Sequence, residues 1–261
     1  MRRFFLEKIR EVRGKVFING QEARHISRVL RMCQGDRLVL MDALGRRFQA
    51  VIQNAGTHGV VAEIESELPP PPKSPVRITI CQSLLKSGNM DLIIQKTSEL
   101  GVDRICPFIS ARTVAALDEK KGSHRMKHWQ KIARSSTGQA GRVIPAEIDI
   151  FRNFGSLINR LKHEEACKAI LWEEESSIGL KGLLTSYERV DSFIGIIGPE
   201  GGFEEKEIDA AKKAGFVPIS LGQRILRSET ASIALAAIVQ YECGDLNLIT
   251  EDPTVSNPNG D

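Results

Sequence analysis

Two glycine-bearing segments near the C-terminus have the residue types and spacing to build a ligand pocket. They are Gly198-Pro199-Glu200-Gly201-Gly202-Phe203 and Leu221-Gly222-Gln223-Arg224-Ile225-Leu226-Arg227-Ser228-Glu229-Thr230-Ala231. Glycine accepts positive φ and lets backbone approach a ligand with no Cβ in the way, and Pro199 stiffens the first turn. Each segment follows a short apolar run, residues 194–197 and 216–221, and leads into a stretch of helical pattern. Two such turns at one end of a sheet are where open α/β sheets bind ligands. The spacing is neither the G-x-x-x-x-G-K-[ST] of a P-loop nor the G-x-G-x-x-G of a dinucleotide fold. Two ligand-free strand-to-helix turns are the competing reading.

A second group suits a polyanion. Over residues 21–32, Ile26, Val29 and Leu30 recur at helical spacing while Arg24, His25, Arg28 and Arg31 lie on or beside the exposed face. Four potential cations on one helix can grip phosphates, and arginine planes can stack on unpaired bases. Residues 1–47 hold twelve Lys/Arg and five Asp/Glu, a net of +7, while the whole chain is only +3, so the remainder is net −4. A basic module joined to a less basic one is how a nucleic-acid-binding appendage reads, because Lys and Arg displace counterions from phosphates. A solvated basic surface would have the same composition.

The elements that must position these groups divide at a proline-rich stretch. Five prolines fall among residues 69–75, which no helix or central strand accommodates. Before it, residues 14–18, 37–41, 47–53 and 59–64 alternate apolar and polar and are separated by turn residues, the pattern of a small antiparallel barrel. After it, strands are expected at 76–81, 102–108, 167–172, 190–197 and 216–221, and helices at 89–100, 126–137, 205–214 and 229–243. Asn89 is the expected N-cap of its helix and Gly101 its stop. This alternation implies a mainly parallel sheet covered by helices on both faces. The expected division is a barrel over 1–70, a linker at 71–75, an α/β domain over 76–249 and a disordered tail at 250–261.

From 229 to 243 only Glu229 and Glu242 are charged, so the last helix is apolar nearly all round and must be covered, by its own domain or at a subunit interface. The five cysteines are scattered with no C-x-x-C, which points to no metal site and no disulfide framework. No apolar run reaches the roughly 18 residues a membrane span needs. The N-terminus meets charge at once, so a cytoplasmic protein is expected.

The two glycine loops, in this order, resemble the signature of the SPOUT class of S-adenosylmethionine-dependent RNA methyltransferases. The chain more narrowly resembles the bacterial ribosomal RNA small-subunit methyltransferase E family. The likeness includes His25 with Val29-Leu30-Arg31 and Gly35-Asp36, Lys86, Gln95-Lys96 with Glu99-Leu100-Gly101-Val102, Pro107, and Gln139 with Arg142 and Pro145. It implies an N-terminal PUA-like β-barrel and a C-terminal α/β SPOUT methyltransferase domain with a deep trefoil knot. It also implies a homodimer formed through helix 229–243, and methylation of uridine N3 in 16S ribosomal RNA. S-adenosylmethionine would be held by Leu171, Ile197, Gly198, Pro199, Glu200, Gly201, Gly202, Leu221, Gly222, Ile225, Leu226, Thr230 and Ala231. Arg227 and Glu229 would act on the reaction from the second loop, with Gln139 and Arg142 reaching in from the partner subunit. Arg24, His25, Arg28, Arg31 and Lys86 would contact RNA. One departure is Glu204, where the family usually places Ser or Thr ahead of the next helix. Of another class, a non-catalytic RNA-binding or ribosome-assembly factor would share the fold, and a dehydrogenase-like nucleotide binder is disfavoured by the missing glycine motif.

Overall fold

The computed structural model describes residues 1–6, 8–42, 44–56, 59–69, 73–114, 119–142 and 144–247. Part of the proline-rich linker and all of the tail at 250–261 lie outside these. The described chain forms two compact units: residues 1–69 with 137–142 and 144–145, and residues 73–114 and 119–136 with 146–247.

The first unit is a six-stranded sheet of β1 (Arg2–Leu6), β2 (Glu11–Val12), β3 (Lys15–Ile18), β4 (Arg37–Asp42), β5 (Arg47–Gly56) and β6 (Gly59–Leu68), in the order β1-β4-β5-β6-β3-β2. Its pairings are antiparallel except that β1 runs parallel to β4. β1 is absent from the sequence reading because five residues carry too little alternation to announce a strand. Arg13 and Gly14, at φ 54° and 77°, make the two-residue turn between β2 and β3. Phe4, Val16, Ile18, Leu38, Leu40, Ile52 and Val60 fill the core.

The regular helix expected over 21–32 is not what forms. A short helix α1 (Gly20–Arg24) runs into a π-helical turn at His25–Val29, closed by Leu30 N donating to His25 O at 2.9 Å, and Arg31 takes φ 50°. The wider turn keeps Ile26 fully buried while Arg24, His25, Arg28 and Arg31 stay exposed. His25 lies edge-on to Phe4, ring centroids 6.0 Å apart.

The second unit is a six-stranded, all-parallel sheet. Its strands are β7 (Arg77–Ser83), β8 (Arg104–Phe108), β9 (Glu147–Ile148), β10 (Cys167–Leu171), β11 (Ser192–Ile197) and β12 (Val217–Ile219), ordered β12-β10-β11-β7-β8-β9. Helices α2 (Ser87–Glu99), α3 (Glu119–Gln139), α5 (Leu180–Thr185) and α7 (Ser228–Cys243) pack on one core. α4 (Phe154–Leu161) and α6 (Glu205–Lys213) enclose the other. Both faces are buried, which is why the strands read as apolar runs. Asn89 is not the cap of α2: the helix starts after Lys86, and Asn89 falls in its first turn.

α7 buries Ser228, Ala231, Ser232, Leu235, Ala236, Val239 and Gln240. Gly195 of β11 makes room for it, since a Cβ there would lie 2.5 Å from Leu235 Cδ2. The outer face of the helix is left open by the described residues, with Ile238 40% and Tyr241 56% exposed. No described helix is long and apolar enough to cross a membrane. No group of three or more potential metal ligands occurs among the described residues.

Candidate active site

Because β10, β11 and β12 are parallel neighbours, their carboxyl ends at Leu171, Ile197 and Ile219 share one edge of the sheet. A cavity of about 710 Å³ opens there, walled by the loops that follow β11 and β12.

In the first loop Gly202 N donates to Pro199 O at 3.0 Å, and Gly202 sits at φ 70°. A Cβ on Gly202 would fall 3.1 Å from Glu173 Cδ, and one on Gly198 would lie 3.0 Å from the Phe203 ring. Gly202 is therefore favoured by its positive φ, and Gly198 by the close Phe203 ring. Glu207 supports the next helix: its Oε2 accepts from Glu204 N and its Oε1 from Ala111 N, each at 3.0 Å. The carboxylate three residues on thus satisfies the N-terminal amide even with Glu204 in place of a hydroxyl residue.

In the second loop the Ser220 hydroxyl accepts from Gly222 N at 3.2 Å and donates to Gly222 O at 3.0 Å. This small bracket holds Gly222 at φ 111°. The two loops are joined by a fully buried amide. Gln82 Nε2 donates to Ser228 Oγ at 2.9 Å and to Ser83 O at 2.8 Å, Ser228 Oγ donates to Gly198 O at 2.6 Å, and Ser232 Oγ donates to Gln82 Oε1. The preceding Cys81 is no nucleophile, because burial and the neighbouring Cys106 push its thiol well above the ordinary range.

Most of the expected cofactor residues converge here. Leu171, Ile197, Gly198, Pro199, Glu200, Gly202, Leu221, Gly222, Ile225, Leu226 and Ala231 line the cavity, as do Lys86, Arg227 and Glu229. Gly201 and Thr230 do not. Gly201 faces Arg112, whose Nη1 donates to its carbonyl at 2.9 Å, and Thr230 is exposed on the side of α7 turned from Glu229 and Ala231. Gln139 and Arg142 belong to the first unit and are not among the lining residues. The sequence reading missed Asn89, Trp172, Glu173 and Ser228, which do line the cavity. It also missed Gln82 behind them. Ser228 stood inside a segment already singled out and gave a signal; Gln82, far upstream, gave none.

Apolar walls at Leu171, Ile197, Ile219, Leu221 and Leu226 suit a flat heterocycle, while backbone and charged groups on the same surface suit its polar substituents. The family model for an RNA methyltransferase domain matches residues 72–240, and that for an RNA methyltransferase PUA domain matches residues 18–65. The protein is thus of the RNA methyltransferase class, with a PUA domain. A protein of Bacillus subtilis named ribosomal RNA small subunit methyltransferase E is 30% identical over 93% of this chain and 97% of its own. The Mycobacterium bovis protein of that name is 29% identical over 90% of each. A crystal structure of ribosomal RNA small subunit methyltransferase E from Neisseria gonorrhoeae, bound to S-adenosyl methionine, superposes with a TM-score of 0.79 at 30% identity, covering 94% of this chain and 99% of that one. The chain belongs to the ribosomal RNA small subunit methyltransferase E family.

Proposed function

We propose that this chain transfers the methyl group of S-adenosylmethionine to N3 of a uridine in 16S ribosomal RNA. The observation that carries the reading is the cavity at the ends of β10, β11 and β12, built by the two glycine loops that the family resemblance rests on. Its residues fit the cofactor. The apolar walls accept the adenine, the backbone of Gly198, Gly202 and Gly222 along the cavity wall offers polar groups to the ribose and methionine parts, and Glu173, Glu200 and Glu229 offer carboxylates to a ligand carrying a sulfonium and an ammonium. When bound, the cofactor supplies an electrophilic methyl group.

The chain's own residues then have positioning and electrostatics to provide. Uridine N3 carries a weakly acidic proton, and its loss leaves negative charge on O2 and O4. Arg227, at the entrance to α7, is suited to stabilise that charge, and Glu229, one turn-start further, to accept the proton. Gln139 and Arg142 would complete the site from a partner subunit in a homodimer formed through α7, whose exposed Ile238 and Tyr241 favour that pairing. Residues 1–70 would serve as the RNA-binding module, with Arg24, His25, Arg28 and Arg31 on phosphates, joined by the linker 71–75 to the catalytic domain 76–249. A deep trefoil knot in that domain and a cytoplasmic location belong to the same reading.

The decisive experiment is methyl transfer from labelled cofactor to small-subunit RNA and particles, with the product nucleoside identified after digestion. Label in 3-methyluridine is the expected result. Label in another nucleoside overturns the assignment of N3, and no label with bound cofactor overturns the activity.

A further inference from the structure

The charge balance of the chain hides a second basic surface. Helix α3 carries six Lys/Arg and two His against one acid, Glu119. Its inner side buries Trp129, Ala133, Ser136 and Thr137. The outer side exposes His124, Lys127, Lys131 and Arg134, at intervals of three and four residues, so these form one line along the helix. The line is about 15 Å long at 1.5 Å per residue. His124, Lys127 and Lys131 meet no acidic partner among the described residues. Like charges stacked on one helical face repel each other, which favours an anionic partner for it.

The helix is fastened beside the cavity. Trp129 Nε1 donates to Asp91 Oδ1 at 3.0 Å, and His128 Nε2 lies 2.9 Å from Asp91 Oδ2. Asp91 is on α2, two residues past Asn89, and both Asn89 and the exposed Lys86 line the cavity. Lys86 at the cavity and the basic line on α3 are thus cationic features of the same unit, carried by two helices that are fastened to each other. A polynucleotide that presents a base to the cavity has phosphates on either side of that base, and these need cations just outside it.

We propose that His124, Lys127, Lys131 and Arg134 form a track for the phosphate backbone of the RNA substrate, outside the catalytic cavity. This rests on RNA being the substrate, and it places RNA contacts in the second unit in addition to those of α1 and the π turn. The track reads backbone charge and not sequence, because lysine presents a point charge with no base-edge geometry.

The test uses the full chain with Lys127→Glu/Lys131→Glu, and Lys127→Arg/Lys131→Arg as the charge-keeping control. Binding to a fluorescent transcript of small-subunit RNA is followed across a salt series, and cofactor binding by calorimetry. The Glu pair should weaken RNA binding by at least about tenfold at low salt and flatten the log–log salt slope by about one to two units, with cofactor affinity unchanged and the Arg pair like wild type. An unchanged slope and affinity in the Glu pair overturns the proposal. So does an equal loss in the Arg pair, which would make shape and not charge the cause. A loss seen with assembled particles but not with naked RNA also overturns it, because the track would then face an acidic ribosomal protein. RNA binding needs no methyl transfer, so a wild-type chain that binds the transcript with this charge dependence but does not methylate it would sink the proposed activity and leave the track standing.

Discussion

Gln82 and Ser228 are 146 residues apart in the chain, and the amide of one donates to the hydroxyl of the other at 2.9 Å, with both buried. Through that contact the end of β7 holds the first glycine loop, by way of Gly198 O, and the start of α7, by way of Ser228 and Ser232. Removing the amide leaves two hydroxyls and a carbonyl short of partners in an apolar surround, a loss of about 1–3 kcal/mol for each buried group left unpaired. Gln82→Leu should therefore lower the melting temperature and weaken cofactor binding together. Ser232→Ala, which takes away only a donor to Gln82, should do less of both. Thermal melts and calorimetry on the two variants check this, and a Gln82→Leu protein with wild-type cofactor affinity would show that the amide does not set the loop geometry.

The two adjacent glycines of the first loop should behave differently. Gly202 combines φ 70° with a Cβ position crowded by Glu173, while Gly201 has no positive φ and would place a Cβ 3.4 Å from that of Arg112, an ordinary contact. A left-handed conformation costs an L-residue about 1–2 kcal/mol. Gly202→Ala should weaken cofactor binding by roughly tenfold, the equivalent of about 1.4 kcal/mol. Gly201→Ala should be close to silent. Titration of both variants with S-adenosylmethionine decides it, and a reversal of their order would mean that the cofactor lies on the outer side of the loop.

The site was legible in the sequence to the extent that it is local. Glycines 198, 202 and 222, Arg227 and Glu229 occur within two short segments whose turn chemistry is readable from residue type alone. Glu173, in the turn after β10, and Gln82, in β7, become neighbours of these loops only through the parallel pairing, in which Gln82 stands opposite Ile197. In the fold, the long apolar strands and the helices with clear stops were readable, Gly101 at φ 89° being one. The short elements β1, β9, α4 and α5 were not, because a strand of two to five residues or a helix of six to eight is too short for its period to stand out from the flanking sequence. The π turn at His25 has the same apolar spacing as a helix and cannot be told from one by pattern. The basic line on α3 was lost for another reason: a net charge of −4 over the remainder of the chain averages a concentrated positive helix with the acids spread around it.

The thiols give a pH signature. Cys167 is buried in β10, and desolvation pushes its thiol up to about 11 from an ordinary 9.0. A group held protonated in the fold resists ionising while the unfolded chain ionises freely, so stability should fall as pH rises from about 9 and level off near 11. Below that window Cys167 contributes no pH dependence. Cys167→Ala should remove this component, read as the difference between the stability–pH curves of the two proteins in denaturant melts. In the same pH range of ordinary labelling, exposed Cys33 should take up maleimide in the native protein, while Cys81, Cys106 and Cys167 should react only on unfolding. Native labelling of Cys167 at neutral pH would contradict its burial.

In the proposed homodimer the outer face of α7 would tie assembly to catalysis. Ile238 and Tyr241 stay 40% and 56% exposed in a helix whose other side is packed on the sheet, and its first turn carries Glu229 and Ala231 into the cavity. Because Ile238 is partly open in the single chain, Ile238→Asp should leave the fold intact. In a homodimer the same carboxylate would be buried without a partner, at a cost of several kcal/mol, enough to raise the dissociation constant by about a hundredfold or more. The variant should therefore sediment as a folded monomer. It should bind S-adenosylmethionine, whose walls come from one chain, and lose methyl transfer, because Gln139 and Arg142 would no longer be supplied by a second subunit. Sedimentation, circular dichroism and the labelled-methyl assay on one preparation separate the outcomes. A folded, fully active monomer would remove Gln139 and Arg142 from any role in the partner's site, and a variant that remains dimeric would place the interface on another face.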